Sequence, residues 1–290
     1  MSEHATNPNI NHISQASSTT ISTFTDIYQA SISDREQFWS KQAERIYWHK
    51  EPEQILDDSK LPFAKWFVGG ETNLCYNCVD RHLEERAEQD AFIWLSSEIN
   101  QELIETFPGV VNAFKDLGNN VEFYTDYTKR RLTYNDLYKE VNYFADVLQR
   151  YGIEKGDRVI IYMPMILEAA YAMLACARIG AVHSVVFGGF AAHNLAIRMN
   201  DADAKMVITV DAGLRGGKVI NYKNLVNQGV EQATKKPEHV LVVNRGVLPF
   251  QPQDIDVDYA TERRYSCEAN AIVAPIWLES NTPSYLTQAR

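Results

Sequence analysis

Between Asp157 and Gly246, apolar runs of strand length alternate with helical patterns, and this alternation limits the fold more than any other feature. The runs are "DRVIIYM" (157–163), "AVHSVVF" (181–187), "KMVITVD" (205–211) and "HVLVVNRG" (239–246). Between them lie "ILEAAYAMLACARIG" (166–180), "AAHNLAIRMNDA" (191–202) and "VINYKNLVNQGVEQATKK" (219–236), each of helix length. A strand that is apolar throughout is buried on both faces, which is the signature of parallel strands joined by crossover helices. The expected class is α/β: a parallel βαβ sheet with helices on both faces and right-handed crossovers. "TYNDLYKEVNYFADVLQRYG" (133–152) adds a helix in front. Leu137, Val141, Phe144 and Leu148 form its stripe, Thr133 its N-cap and Gly152 its C-cap.

The flanks are less regular. Residues 1–22 are rich in Ser, Thr and Asn and read as a disordered tail. Residues 24–50 read as helical, with Phe38, Ala43, Ile46 and Tyr47 on one face and Ser33 as a cap. The aromatics Phe38, Trp39, Tyr47 and Trp48 suit packing onto a neighbouring domain better than a ligand site. Residues 61–83 begin irregular, turn at Gly69–Gly70 and end helical; 91–97 reads as a strand; 98–132 and 247–276 read as irregular. The expected domains are a helical cap segment over 23–90 and one large domain over 91–286, with a divergent end at 287–290.

A net charge of −10 argues against nucleic acid or an anionic membrane surface as partner. No secretory or membrane-spanning pattern is visible, and the expected location is cytoplasmic. Cys75 and Cys78 form a lone CxxC, while Cys176 and Cys267 are isolated. No second ligand pair completes a zinc site, and all four thiols read as buried or half-buried and reduced.

In such a sheet, ligands sit beyond the carboxyl ends of the strands. Two loops land there. Gly188 and Gly189 follow the run 181–187, where the missing Cβ serves either close packing or close approach of a ligand. "LRGGK" (214–218) places Arg215 and Lys218 around Gly216 and Gly217 before a helix, a pattern suited either to an anion or to a solvated turn. GxGxxG, GxxxxGK[ST], HExxH and GxSxG are absent, and no catalytic residue or metal ligand stands out. The missing glycine fingerprint also argues against a dinucleotide oxidoreductase. His183, inside an apolar strand, reads as a satisfied core histidine.

"DRVIIYMPMILEAAYAMLACARIGAVHSVVFGGFA", "DAGLRGGKVINYKNLV" and "WFVGGETNLCYNCVDRH" closely resemble the N-terminal part of the AMP-forming short-chain acyl-CoA synthetases, a family of adenylate-forming ligases. "TNLCYN" (72–77), "RGGKVINYK" (215–223) and "YQASISDREQFWSKQAERIYW" (28–48) resemble the propionate-activating branch more than the acetate-activating one. The resemblance covers residues 24–285 and implies the large N-terminal domain of such a ligase. It implies a carboxylate attacking ATP to give acyl-adenylate and pyrophosphate, after which the thiol of CoA displaces AMP. It implies a small-molecule partner, CoA, bound by Gly189, Arg215, Gly216, Gly217 and Lys218, with ATP and Mg bound elsewhere. Lys218 stands where some members carry arginine. The segment "WLESNTPSYL" (277–286) precedes a Ser/Thr/Gly-rich phosphate loop in the family, and here "TQAR" follows. The expectation is therefore an incomplete AMP-binding domain, inactive by itself, acting with a missing C-terminal half or a full-length subunit. A piece of an acetate-activating enzyme and a non-catalytic CoA-binding or partner module are the alternatives.

Overall fold

A computed structural model describes residues 23–95, 129–215 and 218–287. Residues 1–22, 96–128, Gly216, Gly217 and 288–290, which include most of the stretch expected to be irregular over 98–132, lie outside the described residues. The chain divides into two compact units, ending and beginning at Ile46 and Tyr47.

The first unit holds α1 (Phe24–Ser33) and α2 (Arg35–Ala43). Residues 24–50 were expected to be helical, with Ser33 as a cap. Instead Asp34, at φ −135° and ψ 76°, breaks the run and caps α2 with its own carboxylate, which accepts from Gln37 N at 3.1 Å. Asp34 rather than Ser33 is the cap. Thr23 and Asp26 form a reciprocal capping box on α1.

The second unit opens with β1 (Gln54–Asp57) antiparallel to β2 (Lys65–Val68), then β3 (Glu71–Thr72), α3 (Leu74–Cys78) and α4 (Leu83–Arg86). The strands at 65–68 and 71–72 replace the irregular start expected of 61–83. β4 (Asp90–Leu95) pairs antiparallel with β5 (Lys129–Thr133). α5 (Tyr134–Arg150) follows, with Thr133 and Asp136 forming its capping box. Gly152 (φ 73°) sits just beyond the last turn, where Ile153 N donates to Leu148 O.

The remaining elements are β6 (Arg158–Tyr162), α6 (Leu167–Ile179), β7 (Val182–Val185), α7 (Ala192–Ala202), β8 (Met206–Val210), β9 (Gly213–Arg215), β10 (Lys218–Ile220), α8 (Tyr222–Gln232), β11 (His239–Val243), β12 (Asp256–Asp258), α9 (Tyr259–Glu268) and β13 (Leu278–Glu279). Five parallel strands run in the order β12-β11-β8-β6-β7. β8 is buried along its whole length, as its run MVITV requires. α5, α6 and α9 pack together, as do α7 and α8. The sheet is thus covered on both faces, as expected of the class.

Residues 247–276, expected to be irregular, contain β12 and α9. α9 buries only Tyr259 and Ser266, too few to make a visible stripe. Its start is set by Asp258, whose carboxylate accepts from Thr261 N (2.9 Å) and Oγ1 (2.6 Å). His183 differs from expectation too. β7 ends the strand order, with residues 284–286 bridging to His183 on its outer side; the imidazole is half-buried, and its buried Nδ1 has no hydrogen-bond partner. Burial lowers its pKa.

Arg178 of α6 is 1% exposed. Its guanidinium donates to both carboxylate oxygens of Asp80 at 2.8 and 2.9 Å, and to Val273 O. Asn73 caps α3 and donates to Ala177 O and Ile276 O. These contacts pin two distant stretches of chain, 73–80 and 273–276, to one helix end.

Candidate CoA-binding corner

The sheet reverses direction at β6. From β6 the chain crosses to β7, then passes back over β6 to β8 and onward to β11. The carboxyl ends of β6 and β8 therefore feed helices on opposite faces, which opens a crevice between them. Tyr162, the last residue of β6, fills the floor. Its hydroxyl donates to Phe190 O at 2.9 Å, its carbonyl accepts from Thr209 Oγ1 at 3.0 Å, and its ring lies 4.9 Å from that of Tyr222. Burial raises the Tyr162 pKa, so the phenol stays protonated at neutral pH.

Gly188 and Gly189 follow β7, and Phe190 N closes the turn onto Phe187 O at 3.1 Å. Neither glycine has positive φ; what each requires is space. A Cβ on Gly188 would lie 2.1 Å from Tyr222 Oη, and one on Gly189 would lie 2.6 Å from Arg215 Nη1 and 2.9 Å from the Phe187 ring. The next helix, α7, starts without a side-chain cap, and among its first N–H groups Asn194 N donates to Ala191 O at 3.0 Å.

The "LRGGK" stretch is a β-hairpin, where only a loop leading into a helix was expected. β9 and β10 pair antiparallel with Arg215 directly opposite Lys218, and α8 begins only at Tyr222. Both cations are exposed and adjacent, with no carboxylate partner among the described residues. The Arg215 guanidinium lies 4.1 Å above the Phe187 ring, while Arg198 lies 4.3 Å above Phe190. Gly189, Arg215 and Lys218 thus meet at one corner. Phe187 and Tyr222 were not singled out from sequence, since an aromatic near a strand end has no local signature.

The hairpin stands on a rigid base. Asp211 is fully buried, and its carboxylate accepts from the N–H groups of Arg245 (3.0 Å), Val247 (2.6 Å) and Leu248 (3.1 Å). Lys223 N donates to Asp211 O, and the buried Lys223 ammonium pairs with Asp256 at 2.9 Å.

Residues 113–286 match the AMP-binding enzyme family, which is more than half of the chain. This chain belongs to the AMP-binding enzyme family. Residues 24–78 also match the acetyl-coenzyme A synthetase N-terminus. Similar AMP-binding enzymes include a propionate–CoA ligase of Escherichia coli (strain K12), 44% identical over 262 residues, covering 90% of this chain and 37% of that protein. An acetyl-coenzyme A synthetase of Pasteurella multocida (strain Pm70) is 39% identical over 278 residues, covering 94% of this chain and 37% of that protein. The chain therefore spans somewhat over a third of these relatives' length. Among solved structures, acetoacetyl-CoA synthetase from Streptomyces lividans superposes with a TM-score of 0.70 at 19% identity, covering 91% of this chain and 36% of that one. That likeness shows the fold. Among the described residues, no helix is long and apolar enough to cross a membrane. No group of three or more His, Cys, Asp or Glu there is arranged to hold a metal.

Proposed function

We propose that this chain is the N-terminal portion of an ATP-dependent, AMP-forming propionate–CoA ligase. Its part of the work is to hold the phosphate-bearing end of CoA at the corner formed by Gly189, Arg215, Gly216, Gly217 and Lys218. The observation that carries this reading is the pair of unneutralised cations, Arg215 opposite Lys218, held above a turn that has room for no Cβ. Arginine presents a planar fork to phosphate and lysine a mobile point charge, and together they suit a dianionic group on an otherwise acidic chain. The acid–thiol ligation itself, with ATP and Mg, is proposed for the longer protein in which such a portion sits. Acetate is the alternative acid, supported by the acetyl-coenzyme A synthetase relative.

Calorimetric titration tests the corner. CoA is expected to bind the chain with an affinity that falls as salt rises. Pantetheine, which lacks the nucleotide phosphates, is expected not to bind. Arg215→Ala is expected to weaken CoA about tenfold, the equivalent of one lost charge-assisted contact. Equal affinity for CoA and pantetheine, or an unaffected Arg215→Ala variant, would overturn the assignment.

A further inference from the structure

A small polar cavity lies among the helices of the α5–α6–α9 face, away from the corner. The space open to the centre of a water molecule is ≈ 10 Å³. Its walls are Arg130 of β5, Glu140 of α5, Glu168 and Tyr171 of α6, and Tyr259 and Arg263 of α9. Arg263 and Glu140 satisfy each other through a two-pronged contact. Three polar atoms of the lining are not satisfied. Arg130 Nε, Tyr171 Oη and Tyr259 Oη are buried without a hydrogen-bond partner. Arg130 and Glu168 are each 7% exposed, yet neither pairs directly with the other. A buried polar atom left without a partner is destabilising. Three such atoms around one cavity point to something between them.

We propose that this cavity is a built hydration site, holding one ordered water that bridges Arg130, Glu168, Tyr171 and Tyr259. The donor inventory fits water and excludes an ion. Arg130 Nε–H can only donate and the Glu168 carboxylate can only accept. The two phenols, kept protonated by burial, can do either. A water offers two donors and two acceptors, which these four groups use fully. A cation would face the guanidinium of Arg130 and an anion the carboxylate of Glu168. The two arginines and two glutamates cancel, so no net charge calls for a counter-ion. The water joins β5, α6 and α9, and so ties the weakly apolar helix α9 to its neighbours β5 and α6.

A high-resolution crystal structure of the chain is the direct test. A single density peak within hydrogen-bond distance of at least three of the four groups is expected. A dry cavity, or Arg130 closed directly onto Glu168, overturns the proposal. Tyr171→Phe and Tyr259→Phe supply an independent readout. Each is expected to lower the Tm by about 2–4 °C, the shift of about one lost hydrogen bond in a domain of this size. Because both hydroxyls share one water, the double variant is expected to lose clearly less than the sum. Strict additivity, or no loss in either single variant, overturns the shared bridge.

Discussion

At the scale of single residues, the Gly188–Tyr222 contact is the sharpest constraint. Tyr222 is buried and packed on Tyr162, so it has nowhere to retreat from an added methyl group. Gly188→Ala is expected to cost about 1–3 kcal/mol in urea unfolding, the range for forced overpacking. Adding Tyr222→Phe removes the atom at 2.1 Å but leaves the ring carbon at 2.9 Å, so rescue should be partial. The cysteines give a second residue-scale expectation. Burial pushes the Cys75 and Cys176 thiols up to about 12, whereas Cys78 and Cys267 are exposed. At pH 8 Cys75 and Cys176 are held as neutral thiols, and only thiolates react. An Ellman titration should find Cys78 and Cys267 in the native chain and all four cysteines after unfolding. The unfolded thiols ionise near pH 9, so the stability that these buried neutral thiols contribute is fully present below that pH and is lost as pH rises toward 12.

At the scale of elements, legibility tracked how much apolar surface each element buries. β6, β8 and β11 were visible because nearly every residue in them is buried. α5 was visible because its stripe and its Thr133 cap agree. α9 and the β9–β10 hairpin were not, because caps and turns rather than apolar periodicity define them. The same held for the break between α1 and α2, made by one aspartate. The corner was half legible. Two glycine-rich loops could be placed beyond strand ends, but that Phe187 would carry Arg215 depends on a hairpin twisting back over another loop. The caps can be tested directly. Asp258→Ala is expected to cost about 1 kcal/mol, with Asp258→Asn costing less, since the amide oxygen still accepts. Hydrogen exchange should show the loss concentrated in residues 259–268.

At the scale of the whole molecule, the tie between Arg178 and Asp80 joins parts that are far apart in sequence. A buried guanidinium robbed of its carboxylate is the costly case, and Asp80→Ala is expected to lose about 3–5 kcal/mol in denaturant unfolding. Replacing both partners with apolar residues, as in Asp80→Leu with Arg178→Met, should cost less than the single change, because no charge is then stranded. A double variant as unstable as Asp80→Ala would show that the backbone contact to Val273 matters more than the ion pair.

Asp211 separates what is free to vary from what is not. One carboxylate gathers three amides from the loop after β11, and the same residue's carbonyl receives the start of α8. The hairpin between them hangs from this joint, and the three amides on the Asp211 carboxylate come from the other loop. Its tip can trade arginine for lysine, or gain and lose length, without loosening the frame underneath. Changes in ligand preference can therefore accumulate at 214–219 at little cost to folding, whereas a change at Asp211 would have to be neutral in both at once.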